Sequence, residues 1–168
     1  MSDDDARRAE EPVRQHLDAL GVDHEFMDCD PTLADTAQFC EAYGIAPEDS
    51  ANTIVVVGKS EPPTYAACVV LATTRLDVNK VVRKRLAVRK ASFANAEETR
   101  ALTGMLIGGV TAFGLPDDMP VWVDARVMTR DRIVLGGGSR SCKLVCAPQA
   151  LLSLPTVEIV DDLANPVT

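Results

Sequence analysis

Val13, His16, Leu17 and Leu20 recur at spacings of three and four, so the stretch from Glu11 to Leu20 predicts a helix with one inward face. Pro12 suits the first turn of that helix and Gly21 its stop. Residues 1–11 are charged and polar with no apolar period, which predicts a flexible acidic tail ahead of a domain over 12–168. Val22–Met27 predicts a short strand. Asp35 or Thr36 can cap a second helix whose Phe39, Cys40 and Tyr43 face inward before Gly44 ends it. The β-branched run Thr53–Gly58 reads as a buried strand. Beyond the turn at Glu61-Pro62-Pro63-Thr64, Tyr65–Ala72 reads as its antiparallel partner.

The second half is more finely divided. Asp77–Leu86 predicts a helix with Val78, Val81, Val82 and Leu86 on one side, and Glu97–Thr103 a shorter one. Val121–Asp124, Arg132–Leu135, Leu144–Cys146 and Thr156–Val160 predict strands, with a short helix over Pro148–Leu154. These strands follow one another too closely for regular βαβ alternation. The pattern therefore predicts one α/β domain with a mixed, largely antiparallel sheet.

Composition narrows the class. A chain of 168 residues, 46% hydrophobic, can bury one substantial core. Its net charge of -8 argues against a protein that coats nucleic acid, DNA included, through general phosphate attraction. Against that background, Arg75, Lys80, Arg83, Lys84, Arg85, Arg89 and Lys90 crowd one segment with Asp77 as its single acid. Such an island is either a solvated helix face or a local surface for RNA phosphates. The five cysteines are odd in number, form no CxxC pair and have no His cluster, so neither a disulfide framework nor a metal site is expected. The N-terminus is acidic, and no apolar run reaches the roughly 18–20 residues of a membrane span, which predicts a cytoplasmic protein without a membrane partner.

The candidate chemistry gathers at glycines. Gly108-Gly109 and Gly136-Gly137-Gly138 allow backbone N–H groups to approach a ligand closely, or simply satisfy turns of positive φ. Neither cluster matches a phosphate-binding P-loop or a dinucleotide fingerprint. Ser139, Arg140, Ser141 and Lys143 add hydroxyls and cations beside the second cluster, a mixture suited either to an anionic or polar ligand or to a solvated turn. His16 and His24 lack an adjacent nucleophile and orienting acid, and Cys142 lacks a His partner, so packing roles are expected for all three.

The ordered series Asp30-Pro31, Gly44–Glu48, a strand opening at Thr53, Leu76–Val81, Leu102–Gly114, Val123–Ala125 and Gly136–Leu144 resembles the YbaK/ProX family of aminoacyl-tRNA deacylases across residues 12–163. The resemblance implies a single domain with a mixed, partly barrel-like sheet flanked by helices. It implies a trans-acting hydrolase for the ester of a mischarged tRNA, often one specific for proline. The acceptor end of aminoacyl-tRNA and an aminoacyl-tRNA synthetase are the implied partners, with no cofactor. On the same basis Gly108 would polarise the ester carbonyl through backbone N–H groups, and Asn52 stands where the family carries a lysine. Thr53, Gly109, Gly136, Gly137, Gly138, Ser139, Arg140 and Lys143 are the expected substrate-binding residues. Met27, Ala112, Gly136 and Lys143 also depart from family residues. The change at Asn52 leaves two readings open: a deacylase whose cation has moved to Lys143 or Arg140, or a noncatalytic module of the same fold that holds aminoacyl-tRNA, a nucleotide or an amino-acid-like ligand.

Overall fold

The computed structural model describes residues 2–167, so Met1 and Thr168, the outer ends of the expected tail and domain, lie outside the described residues. The chain opens with α1 (Asp3–Leu20), β1 (Glu25–Asp28) and α2 (Thr36–Tyr43), followed by the hairpin β2 (Ala51–Gly58) and β3 (Thr64–Leu71). Next come β4 (Thr74–Leu76), a helical turn at Val78–Val82 that runs into α3 (Arg83–Arg85), β5 (Ala91–Phe93) and α4 (Ala96–Thr103). The remaining strands are β6 (Val121–Asp124), β7 (Ile133–Gly136), β8 (Cys142–Cys146), β9 (Val157–Val160) and β10 (Ala164–Pro166).

Residues 2–11 are not a flexible tail. They form the first half of α1, where Ser2 accepts a hydrogen bond from the Asp5 N–H (3.2 Å) and the Asp5 carboxylate accepts one from the Ser2 N–H (3.5 Å). Three aspartates in the first turn complement the positive end of the helix dipole. Ala6, Ala9, Val13 and Leu17 make a continuous buried stripe, and each of the two larger side chains contributes roughly 1.5–3 kcal/mol by leaving water.

Five strands form the main sheet, in the order β5-β2-β3-β6-β9. The β2–β3 hairpin is antiparallel along its whole length, from Ala51↔Leu71 to Gly58↔Thr64, whereas β6 and β9 join in parallel. One face carries Val55, Val69 and Val123 under Val13 and Leu17 of α1, with Phe113 and Leu144. The other carries Val56, Cys68, Val70 and Trp122 under Val82 and Leu163. Burial on both faces explains why β2 and β3 read as unbroken apolar runs. A second sheet, β1-β8-β7, packs α2 through Phe39, Cys40 and Val134.

The sheets do not close into the partly barrel-like arrangement that was expected. An isolated bridge, Ser50↔Val134, joins the two larger ones. Because β5 has three residues and pairs only with Val56–Gly58, the first half of β2 keeps an open edge on that side. Two local expectations also change. Over Val78–Val82 the helix is wide, with the Val82 N–H reaching the Asp77 carbonyl at 3.1 Å. Tyr43 is not inward: its ring stacks on Phe39 at 5.0 Å, while its hydroxyl accepts from the Asp30 N–H at 2.8 Å on the surface. Among the described residues no helix is long and apolar enough to cross a membrane.

Candidate active site

The open edge of β2 borders a cavity of about 250 Å³. Its walls come from β2 (Asn52, Thr53), the start of α2 (Asp35, Thr36, Phe39), the loop Ile107–Val110, and the facing pair Gly136 and Lys143 of β7 and β8. Sequence positions more than a hundred residues apart therefore share one cleft.

The loop at Gly108 is a tight turn closed by the Gly109 N–H on the Leu106 carbonyl (2.8 Å), with Gly108 at φ +93° in its third position. That conformation favours glycine. A Cβ at Gly108 would also run into the Arg140 guanidinium. The peptide planes fix where the donors point. Arg140 donates to the Ile107 carbonyl at 3.0 Å, so the Gly108 N–H on the same trans peptide points the opposite way. The Gly138 N–H donates to the Gly109 carbonyl at 2.6 Å, so the Val110 N–H likewise points away from that contact. Among the described residues neither the Gly108 nor the Val110 N–H meets an acceptor, and both residues line the cavity.

Lys143 is buried, at 7% exposure, and its ammonium donates to the carbonyls of Ala34 (2.8 Å) and Gly108 (2.9 Å). It lies 5.1 Å from the centre of the Phe39 ring and forms no ion pair among the described residues. Burial holds its pKa below the usual lysine value, and the nearby Arg140 charge lowers it further. Arg140 is spent differently, since its guanidinium pairs with the Asp35 carboxylate (3.1 Å) and donates to the Pro31 carbonyl (3.1 Å). Both cations thus tie the segment around Pro31–Asp35 to the Gly108 turn, but only Lys143 lines the cavity.

Across from Lys143, the Asn52 side-chain oxygen accepts from the Thr36 hydroxyl at 2.8 Å. This bond leaves the Asn52 Nδ2 without an acceptor among the described residues. The Thr53 hydroxyl is buried in the same wall and has no hydrogen-bond partner among the described residues. Thr53 lines the cavity, and a buried hydroxyl without a partner there is accounted for by a bound polar group that would pair with it.

Of the residues expected at the site, Asn52, Thr53, Gly108, Gly136 and Lys143 line the cavity. Gly109, Gly137, Gly138, Ser139 and Arg140 do not, because they serve the packing behind it. A Cβ at Gly109 would enter the Ser139 backbone, one at Gly137 the Cys142 side chain, and one at Gly138 (φ +104°) the Ala9 carbonyl of α1, at 2.5 Å. Ser139 is fully buried, its hydroxyl donating to Glu10 at 2.6 Å and accepting from the Ser141 N–H at 3.0 Å. Cys142 and Cys146 lie off the cavity, their thiols pushed up by burial to about 12 and about 11, so neither is a thiolate nucleophile. His16 accepts from the Gly114 N–H at 2.7 Å and anchors the glycine-rich loop to α1.

In the sequence Asp35 and Thr36 read only as a helix cap, and nothing singles out Val110. Asp35 makes no side-chain capping bond, so its carboxylate and the first N–H groups of α2 are left for other partners.

Fold and cavity together define an α/β domain whose cleft is lined by backbone donors and small polar groups, with no thiolate nucleophile among its walls. The family model described as aminoacyl-tRNA editing domain matches residues 30–154, and the chain belongs to this family, the YbaK family. A relative from Enterococcus faecalis (strain ATCC 700802 / V583), provisionally named Cys-tRNA(Pro)/Cys-tRNA(Cys) deacylase EbsC, is 27% identical over 68% of each chain. A solved structure provisionally titled a trans-editing enzyme for prolyl tRNA synthetase superposes with a TM-score of 0.80 at 21% identity, covering 95% of this chain and 98% of its own. The hypothetical protein APE2540 gives a TM-score of 0.79 at 23% identity, covering 89% and 97%. These two likenesses establish the fold.

Proposed function

We propose that the protein is a trans-acting aminoacyl-tRNA deacylase, which hydrolyses the ester between a wrongly attached amino acid and the terminal ribose of a tRNA. The observation that carries this reading is the pair of free N–H groups at Gly108 and Val110 beside the orphaned Thr53 hydroxyl. An ester carbonyl placed against the two N–H groups would be polarised, and the oxyanion formed when water attacks would be stabilised where water is largely excluded. The C–O bond to the ribose then breaks, the ribose oxygen regains a proton, and the amino acid leaves as a free acid.

The remaining groups divide the work. Lys143 and Arg140 hold the Gly108 turn in place, Asn52 offers its amide N–H₂ to the substrate, and Asp35 supplies a carboxylate at the wall for the substrate's ammonium group. The cavity holds only about 250 Å³, which fits a sieve for a small amino-acid side chain. A tRNA specific for proline is the leading substrate, a synthetase is the natural companion, and the cytoplasm is the place of work.

A second reading, a noncatalytic module that holds aminoacyl-tRNA or an amino-acid-like ligand, draws on one observation. Asn52 carries no charge, and its oxygen is occupied by Thr36. Asn52→Lys separates the two. A large gain of hydrolysis over an inactive native protein marks a binding module descended from an enzyme, whereas hydrolysis by the native protein shows that the lysine is dispensable.

A further inference from the structure

The basic segment is not part of the cavity, yet it adjoins it around the edge of the main sheet. An open groove of about 820 Å³ lies against the unpaired side of β5 and is bordered by Arg75, Asn79, Lys80, Ala91, Phe93 and Asn165. Phe93 borders the groove while its neighbour Ala94 lines the cavity. Ile54, also in the cavity wall, packs in the same apolar cluster as Val78 and Ala91 of the groove. A polymer with its end in the cavity can therefore pass over the sheet edge into the groove.

The groove's chemistry is unlike the rest of the surface. In a chain of net charge -8, Arg75 and Lys80 border the groove with Asp77 and form no ion pair among the described residues; Lys84, Arg89 and Lys90, on the same segment but outside the groove lining, form none either, and Arg85 alone of the segment pairs, with Glu158. Arg83 turns back to the Asn79 carbonyl at 2.9 Å. Beside these free cations stands Phe93, 55% exposed, a large apolar ring that nothing in the described chain covers. Cations that track phosphates and an aromatic ring that accepts a stacked base are the two parts of a surface for single-stranded nucleic acid.

We propose that this groove docks the RNA strand that carries the ester, with Arg75 and Lys80 on its phosphates and Phe93 stacked against a base near the cavity mouth. The inference rests on the deacylase reading and names a surface that reading does not require.

Fluorescence anisotropy with a 5′-fluorescein-labelled RNA stem-loop ending in a single-stranded 3′ overhang, titrated across sodium chloride concentrations, tests it. Affinity falls as salt rises, and Arg75→Ala and Lys80→Ala each reduce the log–log slope by about 0.7–0.9. Phe93→Ala weakens binding about five-fold or more. All three residues are exposed, so the variants keep the fold. With mischarged tRNA the variants raise KM, while hydrolysis of a small aminoacyl-adenosine ester, too short to reach the groove, is unchanged. Variants that bind the RNA with wild-type affinity and slope overturn the proposal. So does wild-type protein that binds polyglutamate as tightly as the RNA, which would assign the surface to an acidic protein. If the groove binds RNA as described but no ester is hydrolysed, the deacylase reading fails and the groove stands.

Discussion

The ammonium of Lys143 donates to the Gly108 carbonyl at 2.9 Å, and this bond sets the peptide plane next to the free Gly108 N–H. The same ammonium holds the Ala34 carbonyl at 2.8 Å, so one side chain determines the spacing of two cavity walls. Lys143→Met keeps the length and removes the donors. The expected result is a fall in kcat of about ten-fold or more with a smaller change in KM, since the turn loses its orientation rather than its contact with substrate. The buried Ala34 carbonyl also loses its partner, at a cost of about 1–3 kcal/mol, and the half-buried Gly108 carbonyl loses less. Steady-state hydrolysis and urea unfolding of the variant measure both effects.

Thr53→Val separates binding from folding. Valine has the same shape and removes a buried hydroxyl that has no partner, so the midpoint of thermal unfolding stays level or rises. Affinity for substrate falls about five-fold or more, the effect of one lost hydrogen bond of about 1 kcal/mol. Lower stability with unchanged affinity would show that the hydroxyl serves the fold.

Gly108→Ala places a Cβ against the Arg140 guanidinium at a φ of +93°, a conformation alanine adopts only with strain. Hydrolysis is expected to drop about a hundred-fold, in line with losing a preorganised oxyanion donor. Adding Arg140→Ala relieves the collision but not the strain, so the double variant recovers little activity. Full recovery would locate the effect in the collision alone.

Alkaline pH should weaken the fold. Burial raises the Cys68 and Cys142 thiols from 9.0 to about 12 and Cys146 to about 11. Between pH 9 and these values the native chain holds protons that the unfolded chain has released, so stability falls as pH rises. Lys143 acts in the opposite sense: its native pKa lies below 10.5, and in that interval the unfolded chain holds the extra proton. Three thiols outweigh one amine. The urea midpoint is expected to decline above pH 9, less steeply in Cys68→Ala, with the thiols inert to Ellman's reagent until the protein unfolds.

Removing residues 2–11 tests the role of the first half of α1. The deletion uncovers Gly138 and strips Glu10 from the buried Ser139 hydroxyl, so stability falls by at least about 2 kcal/mol and cavity activity falls with it. A fully stable, active truncation would restore the expectation of a dispensable tail.

That expectation failed for a physical reason. Ala6 and Ala9 are too small to mark an apolar face among the eight charged and polar residues of 2–11, and their burial depends on contacts with distant segments. The β2–β3 hairpin was legible because Val55, Val56, Val57, Val69 and Val70 are β-branched and buried on both faces of one sheet. Three-residue strands such as β4, β5 and β10 carry no period to read. Glycine was the ambiguous case. At Gly108 it supplies a left-handed turn in the cavity wall, while at Gly109 and Gly136 it lets two backbones touch, and sequence cannot tell these uses apart. The direction of Lys143 was likewise invisible, being fixed by carbonyls over thirty and a hundred residues away.

Ester hydrolysis in this cavity is the reaction on which everything above turns. Purified protein incubated with a panel of mischarged tRNAs carrying radiolabelled amino acids, mischarged tRNA specific for proline among them, measures it directly. Release of the amino acid from at least one member, lost in Gly108→Ala and reduced in Lys143→Met, is the predicted result. Release from none of them, or equal release by wild type and Gly108→Ala, would contradict it.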